Sequence, residues 1–398
     1  MQRLRDAVIT FICAVLRRLF TVPGQSRNGR PLRKILVLKP CCLGDVLLAT
    51  PTITALKAAW PEATIVVATS AWARAAVANH PAIDSFIECS PVTRGGVQSL
   101  HDAWRLTQQI RAEAFDLAIV LDRSPLLSTI PLLAGIPVRA RIDSAGRGFS
   151  LTARTPALPL RHEADLYLDV VRAAGCHPTD LKLSFWPTGE ERGWATAALP
   201  KGEWIAIQPA GGVNPGSALI GKRWPAHRFL ELSERLLQAG YGLVLLGGAD
   251  DYQLTQEIAA LLPAYQRSHV YDFAGRTSFG QTAALLERCR LFVGNDTGVM
   301  HLAVAVGAPV VAIFGPSKPR AYGPYNATKS AVVHHEEQCS GCVFRGGLAT
   351  HCRNEFACTA AATVDEVTAA AESLLETPTE PRQGGCASLD DPPEQLVP

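Results

Sequence analysis

The chain has 398 residues, of which 47% are hydrophobic and 19% charged, a composition that excludes wholesale disorder and suits two or three globular domains. Its 38 Lys and Arg residues against 36 Asp and Glu leave a net charge of +2. This balance argues against a nucleic acid as the main partner, so any anion-binding site must be local. The 11 cysteines are too sparse for a disulfide scaffold, and no secretory-signal pattern opens the sequence, so we expect a protein of the reducing cytoplasm.

The first segment, residues 1–33, is predicted to form an amphipathic helix followed by a linker. Its apolar run at 7–16 is shorter than the roughly 20 residues that cross a bilayer. Apolar side chains share one face of the helix and arginines flank it, a pattern that suits the surface of an anionic membrane. A terminal helix packed on its own protein fits the pattern equally well.

From about residue 34 onward, short β-rich runs alternate with helical stretches, which predicts two series of βαβ units. The first series has predicted strands at 35–38, 64–68 and 117–121 and a helix at 46–60. The second has strands at 204–208, 242–246, 291–293 and 309–314, and helices at 227–239, 281–289 and 300–306.

We therefore expect an α/β fold with two Rossmann-like lobes. The N-terminal lobe is placed at 34–185, a linker at 186–200 and the C-terminal lobe at 201–375. The proline-rich stretch 376–398 carries little that could pack, and we expect it to be disordered.

Parallel sheets bind ligands at the carboxyl ends of their strands, so the loops after the predicted strands are the places to look for chemistry. The most informative loop, Asn295-Asp296-Thr297-Gly298, leads into an apolar helix that contains His301. Free backbone N–H groups at the start of that helix would bind a phosphate or diphosphate, and the Asp296 carboxylate would accept hydrogen bonds from sugar hydroxyls. The alternatives are that Asp296 or Thr297 is an ordinary helix N-cap and that His301 is a packed side chain.

The loop after the first predicted strand ends in Gly44-Asp45. Asp45 stands where an N-cap is expected. In a two-lobed fold this loop faces the Asp296 loop across the cleft, and an exposed carboxylate there can serve as a general base.

Lys222 closes a segment, 216–222, that has the spacing of a nucleotide-binding P-loop. The next residue is Arg223, where a hydroxyl should hold Mg²⁺, and Pro225 delays the helix until about His227. These departures disfavour an ATPase. A loop lysine still suits a diphosphate as a point charge.

Four cysteines, Cys339, Cys342, Cys352 and Cys358, have the spacing Cys-x₂-Cys-x₉-Cys-x₅-Cys. Four thiolates in so short a segment can ligate zinc or iron. Unligated thiols and redox or disulfide chemistry are the alternatives. The other seven cysteines, among them Cys41 and Cys42, are expected to be packed small residues.

Taken together, these motifs resemble glycosyltransferase family 9, whose best-known members are ADP-heptose:lipopolysaccharide heptosyltransferases. The resemblance runs from about residue 34 to 375 and rests on the ordered motifs at 35–39, 43–51, 222–225, 295–301 and 314–316. It implies a GT-B fold, with the nucleotide-sugar donor on the C-terminal lobe and the acceptor on the N-terminal lobe. It also implies inverting transfer of a heptose from ADP-heptose to a lipid-linked inner-core saccharide, without a metal or cofactor in catalysis, in the cytoplasm or peripherally on the inner membrane.

By position, the resemblance implies that Asp45 is the catalytic base and that Lys222 neutralises the donor diphosphate. The donor-binding set that it implies is Lys222, Asp250, Asp296, Thr297, Gly298 and His301. Asp250 would contact the nucleoside ribose, although Asp251 is an equally near candidate. The chain departs from the family pattern at Cys41-Cys42, where small hydroxyl residues are common, and at Gly211-Gly212, where some relatives carry phosphate-binding threonines.

Two other functions stay open. The same fold can transfer a different sugar or glycosylate a protein hydroxyl. The four cysteines favour this alternative, because protein heptosyltransferases related to this family carry a cysteine-ligated metal, which this cysteine segment resembles. A two-lobed ligand-binding protein would need the cleft but not Asp45.

Overall fold

The computed structural model describes residues 8, 11–16, 31–90, 97–143, 148–157, 161–214, 217–336, 352 and 355–376. The predicted disordered tail beyond residue 376 lies outside this part of the chain. Within it, two six-stranded sheets, each with all strands parallel, form two Rossmann-like lobes, which confirms the predicted fold class.

The N-terminal sheet has the strand order β3-β2-β1-β4-β5-β6. Its strands are β1 (Lys34–Leu38), β2 (Thr64–Thr69), β3 (Ser85–Glu88), β4 (Leu117–Val120), β5 (Val138–Asp143) and β6 (Ala153–Pro156). The helices of this lobe are α1 (Leu43–Leu47), α2 (Thr50–Ala59), α3 (Ala71–Arg74), α4 (Val97–Ala112), α5 (Pro125–Leu133) and α6 (Glu163–Ala173).

The C-terminal sheet has the order β11-β10-β7-β12-β13-β14, and a small antiparallel ribbon, β8 and β9, lies beside it. The strands of this lobe are β7 (Trp204–Gln208), β8 (Val213–Asn214), β9 (Ser217–Ala218), β10 (Gly242–Leu245), β11 (Val270–Asp272), β12 (Cys289–Asn295), β13 (Val310–Phe314) and β14 (Ser330–His334). The helices are α7 (Gly189–Ala198), α8 (Ala226–Gln238), α9 (Tyr252–Leu261), α10 (Phe279–Arg288), α11 (Gly298–Ala305), α12 (Pro319–Tyr322), α13 (Ala357–Ala360) and α14 (Val364–Glu376).

The central strands are buried on both faces, which explains why they read as continuous apolar runs in the sequence. In β1, Ile35 and Val37 pack in one hydrophobic layer, and Leu36 and Leu38 pack in the layer on the opposite face of the sheet. Side chains alternate across a strand, so an apolar run without alternation is what two covered faces require.

Counted within its own lobe, each sheet has the order 3-2-1-4-5-6 of the doubly wound nucleotide-binding fold. The order reverses between β1 and β4 in one lobe and between β7 and β12 in the other. Ligands bind at such switch points, beside the carboxyl ends of the strands. The loops that follow these four strands therefore define where a site must lie.

The predicted helix at 46–60 is two helices, α1 and α2. The break falls at residues 48–49, because Pro51 lacks the N–H that a continuous helix would need and fits the first turn of a new one. Helix α8 begins at Ala226, one residue before the predicted start. The segment 186–200, predicted as a linker, contains α7, which begins at a capping box made by Thr188 and Glu191.

Candidate active site

The two loops that carry the predicted catalytic residues meet at the N-termini of α1 and α11. Gly44 lies so close to α11 that a Cβ atom added to it would be 3.3 Å from Gly298 Cα and 3.1 Å from His301 Cδ2. The structure thus brings the Asp45 loop of the N-terminal lobe and the Asp296 loop of the C-terminal lobe into direct contact.

Asp45 lies in the first turn of α1 and is not its N-cap, since the cap position is Cys42. Its carboxylate pairs with Lys39 at 3.1 Å, and its side chain is 36% exposed, whereas that of Lys39 is 6% exposed. Burial of Lys39 opposes its charge, but Asp45, Asp122 and Glu163 outweigh burial and raise the pKa of the ammonium group. The charged lysine holds the Asp45 carboxylate at the cleft, a contact that sequence reasoning missed although Lys39 directly follows the first strand.

Asp296 is also not a cap. Its Oδ2 accepts a hydrogen bond from Lys222 Nζ at 2.6 Å and another from the Ser317 hydroxyl, and its side chain is only 5% exposed. Burial favours the neutral acid, but Lys222, Ser317 and His301 outweigh that effect and lower the pKa of Asp296. Lys222 and Asp296, two of the predicted donor-binding residues, are therefore an ion pair, with Ser317 as a third member that the sequence did not reveal.

Lys222 ends a 3₁₀ turn (Ile220–Lys222) and lies outside any α-helix, as its proline-delayed context predicts. The turn packs on α13, where Thr359 Oγ1 donates to the Gly221 carbonyl at 2.7 Å. This contact holds the turn that carries Lys222 in place near the start of α11.

Thr297 is the N-cap of α11, and its Oγ1 accepts a hydrogen bond from Met300 N at 3.4 Å. The same hydroxyl donates to Gln208 at the end of β7. Gly211 has φ +99°, and a Cβ atom there would lie 2.5 Å from Thr297 Cγ2. The departure at Gly211 thus has a steric reason, because the Thr297 side chain occupies the space that a residue-211 side chain would need.

His301 is buried, at 4% exposure, and its Nδ1 has no hydrogen-bond partner among the described residues. Burial lowers the pKa of His301 to about 4, against smaller raising effects of Asp296 and Asp45. The imidazole is therefore neutral at physiological pH and can both donate and accept a hydrogen bond at the base of the cleft.

Asp250 and Asp251 differ in their surroundings. Asp250 is exposed. Asp251 is buried, pairs with Arg223 at 3.0 Å and accepts a hydrogen bond from Gly248 N at 2.9 Å. Arg223 also donates to the Gly211 carbonyl at 2.9 Å, so Asp251 and Arg223 tie three loops together. Of the two acidic candidates, only Asp250 has a carboxylate open to a ligand.

The cysteines differ from expectation at one place. Cys41 and Cys42, predicted to be packed small residues, are half-buried and joined by a disulfide in the loop before Asp45. Of the four spaced cysteines, Cys339 and Cys342 lie outside the described residues, Cys352 is half-buried and Cys358 is buried in α13. Among the described residues, no three His, Cys, Asp or Glu side chains are grouped so that they could hold a metal ion.

Comparison with known proteins decides the family. The sequence model of glycosyltransferase family 9 (heptosyltransferase) matches residues 103–351. Lipopolysaccharide heptosyltransferase 2 of Salmonella typhimurium is 33% identical over 297 residues, which cover 72% of this chain and 84% of the relative. The chain belongs to glycosyltransferase family 9. The resemblance seen in the motifs is confirmed, and this family member is a glycosyltransferase.

Solved structures agree. The structure of the ADP-heptose lipopolysaccharide heptosyltransferase II of E. coli superposes with a TM-score of 0.68 at 26% identity and covers 86% of this chain and 98% of its own. A glycosyltransferase family 9 protein of Veillonella parvula superposes with a TM-score of 0.71 at 25% identity, covering 88% and 99%. These matches confirm the GT-B architecture over both lobes. In the part of the chain that the structure covers, no helix is long and apolar enough to span a membrane.

Proposed function

We propose that this family 9 member transfers a heptose from ADP-heptose to an inner-core saccharide of lipopolysaccharide, with inversion at the anomeric carbon. In this proposal the lobe at 34–185 binds the acceptor and the lobe at 201–375 binds the donor. The observation that carries it is the contact between the α1 and α11 N-termini, which sets a part-exposed carboxylate of one lobe beside a helix N-terminus and a lysine of the other.

The proposed reaction is a direct displacement. Asp45 takes the proton of the acceptor hydroxyl, the acceptor oxygen bonds to the anomeric carbon, and the bond from that carbon to the diphosphate oxygen breaks. Negative charge grows on the departing ADP. Lys222 and the N–H groups at Gly298 stabilise that charge more in the transition state than in the ground state, which is what accelerates the step.

Donor-sugar binding is assigned to Asp296 and His301. Both hydrogen bonds from Lys222 and Ser317 end on Asp296 Oδ2, so Oδ1 is left to accept from a sugar hydroxyl. The buried Nδ1 of His301 would gain a partner when the sugar binds. Thr297 and Gly298 would contact the phosphates, and Asp250 would contact the ribose.

No step of this chemistry is routed through a metal. We propose that Cys339, Cys342, Cys352 and Cys358 hold a structural zinc or iron, because four thiolates would close the coordination shell and leave no position for substrate. The burial of Cys358 and the part-exposure of Cys352 are compatible with a site at the edge of the lobe. Elemental analysis of protein purified without chelator tests this, and less than about a tenth of an equivalent of metal would contradict it.

We also propose that the protein works in the cytoplasm, bound peripherally to the inner membrane. Residues 1–185 contain 22 Lys and Arg against 14 Asp and Glu, whereas residues 186–398 contain 16 against 22. Most of the excess lies in residues 1–33, with 7 Arg against 1 Asp, whereas the lobe at 34–185 has 15 Lys and Arg against 13 Asp and Glu, so the positive charge favours contact of the N-terminal segment with an anionic bilayer. In the described part of the N-terminal helix, Val8, Phe11, Ile12 and Val15 are all exposed.

The deciding experiment compares wild type with Asp45→Asn. We expect wild type to release ADP from ADP-heptose only when a heptose-deficient lipopolysaccharide acceptor is present. Asp45→Asn should bind ADP normally and lower kcat by about 10²–10⁴, the usual contribution of a general base. Near-normal turnover of the variant would remove Asp45 from that role. ADP binding without turnover by wild type, over a panel of nucleotide sugars and acceptors, would favour a ligand-binding protein instead.

A further inference from the structure

A cluster of polar side chains that the proposed mechanism leaves partly unused lies at the switch point of the N-terminal sheet, next to the Asp45 loop. The Leu121 N–H donates to the Leu38 carbonyl at 3.0 Å, so the chain leaves β4 directly beside the point where it leaves β1. Asp122 and Arg123 therefore emerge beside Lys39, which pairs with Asp45. Nothing in the mechanism above uses Arg123.

Arg123 is held in one orientation by Glu163, the first residue of α6. Its two terminal nitrogens donate to the two Glu163 oxygens at 2.7 Å each. The Glu163 side chain is 5% exposed, whereas that of Arg123 is 37% exposed. A guanidinium has five N–H donors, so the edge that contains Nε is left to bind a second planar or paired acceptor.

The Arg123–Glu163 pair faces the same space as Asp45. Tyr322, which comes from the C-terminal lobe, is half-buried in that space. Burial raises the pKa of the Tyr322 phenol, and the charges of Glu163 and Asp45 add to the effect. The ring of His162, the residue before Glu163, lies 3.0 Å from the carbonyl of Gly323, the residue after Tyr322, which places the pair where the C-terminal lobe meets α6.

The charges around Arg123 decide what it can bind. Lys39, Arg123 and Arg141, whose Nε donates to the Asp122 carbonyl, are balanced by the three carboxylates of Asp45, Asp122 and Glu163, so the cluster carries no net formal charge. A phosphate or carboxylate bound here would lie beside three carboxylates, and no surplus of positive charge would offset their repulsion. A neutral polyol would instead accept from the guanidinium and donate its own hydroxyl hydrogens to the carboxylates.

We infer that Arg123, held in place by Glu163, binds neighbouring hydroxyl groups of the acceptor sugar and so selects which hydroxyl reaches Asp45. This inference rests on the proposed function, in which the acceptor occupies the N-terminal lobe. Arg123 is a specificity-determining residue in contact with the acceptor, and Glu163 is its positioning residue. Loss of a charged hydrogen-bond donor to a substrate hydroxyl predicts a loss of acceptor affinity of roughly 10- to 100-fold.

The test measures kinetic constants for an O-deacylated acceptor saccharide that wild type uses. We expect Arg123→Met to raise KM for the acceptor by roughly 10- to 100-fold and to leave the Kd of ADP within about twofold of wild type. Glu163→Gln should raise KM for the acceptor by a smaller factor, and Arg123→Lys should restore part of the loss. A loss of ADP affinity as large as the loss of acceptor affinity would overturn the inference.

Arg192→Met is the matched control. Arg192 makes an equivalent two-fold pair with Glu287 at 2.8 and 2.9 Å, is 38% exposed, and joins α7 to α10 away from the cleft. Arg192→Met should change neither the KM for the acceptor nor the Kd of ADP. If Arg192→Met raises KM for the acceptor as much as Arg123→Met does, the effect is general to the loss of an ion pair and the inference fails.

Modified acceptors identify the group that Arg123 binds. On deoxy analogues that lack one hydroxyl beside the attacked position, wild type and Arg123→Met should differ by less than about threefold. On a dephosphorylated acceptor, the full difference in KM between wild type and Arg123→Met should persist. A difference that disappears only on the dephosphorylated acceptor would mean that Arg123 binds the anion. Turnover by wild type, lost in Asp45→Asn, supports the proposed function whichever result Arg123 gives.

Discussion

At the residue scale, the Lys222–Asp296 pair explains how the proposed site for an anionic donor can contain a buried carboxylate. Asp296 is 5% exposed and stays charged because Lys222 and Ser317 stabilise that form. The sequence predicted both residues from their motifs but not their contact, since they are 74 positions apart. Lys39, Ser317 and Arg123 carry no local signal of function, because their role depends on which loops the sheets bring together.

Lys222→Met tests the role of the lysine toward the diphosphate. We expect ADP to bind 10- to 100-fold more weakly, because a charged hydrogen bond is lost, and adenosine to bind unchanged. The variant should also lose about 3–5 kcal/mol of stability, since Asp296 is left as a buried carboxylate without its cation. Calorimetric binding and denaturant unfolding measure the two effects.

The control for this variant is Lys57→Met, which removes a lysine from an exposed pair with Asp84. It should neither weaken ADP binding nor lower the stability by several kcal/mol. If Lys222→Met weakens adenosine and ADP equally, the lysine supports the fold and does not bind the diphosphate.

His80 gives a pH dependence of stability that is separate from catalysis. The ring is 4% exposed and lies 4.7 Å from the ring of Trp186. Burial lowers the pKa of His80 to about 4, so between that value and about 6.5 the unfolded chain binds a proton that the folded chain does not. Stability is therefore full above about pH 6.5 and is lost as the pH falls toward 4. His301 contributes with the same sign.

His80→Gln should reduce the slope of the unfolding free energy against pH, between pH 5 and 6, by up to about 1.4 kcal/mol per pH unit. Denaturant unfolding at pH 7, 6 and 5 measures that slope. His269→Gln, at an exposed position, serves as the control and should leave it unchanged. A slope for His80→Gln equal to that of wild type would show that His80 titrates alike in both states.

At the element scale, the predicted strands were recognisable because most are short apolar runs buried on both faces. The edge strand β3 (Ser85–Glu88) was not, because its residues are exposed or only half-buried and give no apolar run. The split between α1 and α2 needed the position of Pro51 relative to the helix start, which hydrophobic periodicity alone does not supply. The approach of α1 to α11 joins residues of different lobes and has no signature in either segment.

That approach makes a prediction about Gly44. A Cβ atom at Gly44 would press on Gly298 backbone at 3.3 Å and on the His301 ring, and backbone yields less readily than the end of a side chain. We expect Gly44→Ala to separate the two helix starts, to lower kcat by tenfold or more and to lower Tm, because Leu47 of α1 and Met300 of α11 are buried in the same hydrophobic cluster. Steady-state kinetics and thermal unfolding check this.

The matched variant is Gly193→Ala, in the middle of α7, where nothing lies within 4 Å of an added Cβ. It should stabilise the protein by roughly 0.5–1 kcal/mol and leave kcat unchanged. A fully active Gly44→Ala enzyme would mean that the close approach of α1 and α11 is not needed during turnover.

At the scale of the whole molecule, the lobes contact each other beyond the active site. The His162 ring lies 3.0 Å from the Gly323 carbonyl, and the Tyr325 hydroxyl donates to Asp165 at 2.7 Å, so the segment after α12 packs on α6. Ser317, just before α12, donates to Asp296, so residues 317–325 contact both the Asp296 loop and α6. This short stretch of chain thus contacts both lobes beside the active site.

The exposed apolar residues of the N-terminal helix predict where the protein meets a bilayer. Phe11 is 70% exposed, and Leu261, on the C-terminal lobe, is 67% exposed, so the two residues form a matched pair. We expect Phe11→Asp to reduce sedimentation with vesicles that contain anionic lipid, because it removes apolar burial and repels the lipid charge. Leu261→Asp should sediment like wild type.

Removal of residues 1–22 should abolish sedimentation, lower turnover of acceptor embedded in vesicles and preserve turnover of a soluble acceptor. Equal sedimentation of Phe11→Asp and wild type would exclude the helix face as the membrane contact, and unfolding of the truncated protein would mean that the helix packs on its own lobe.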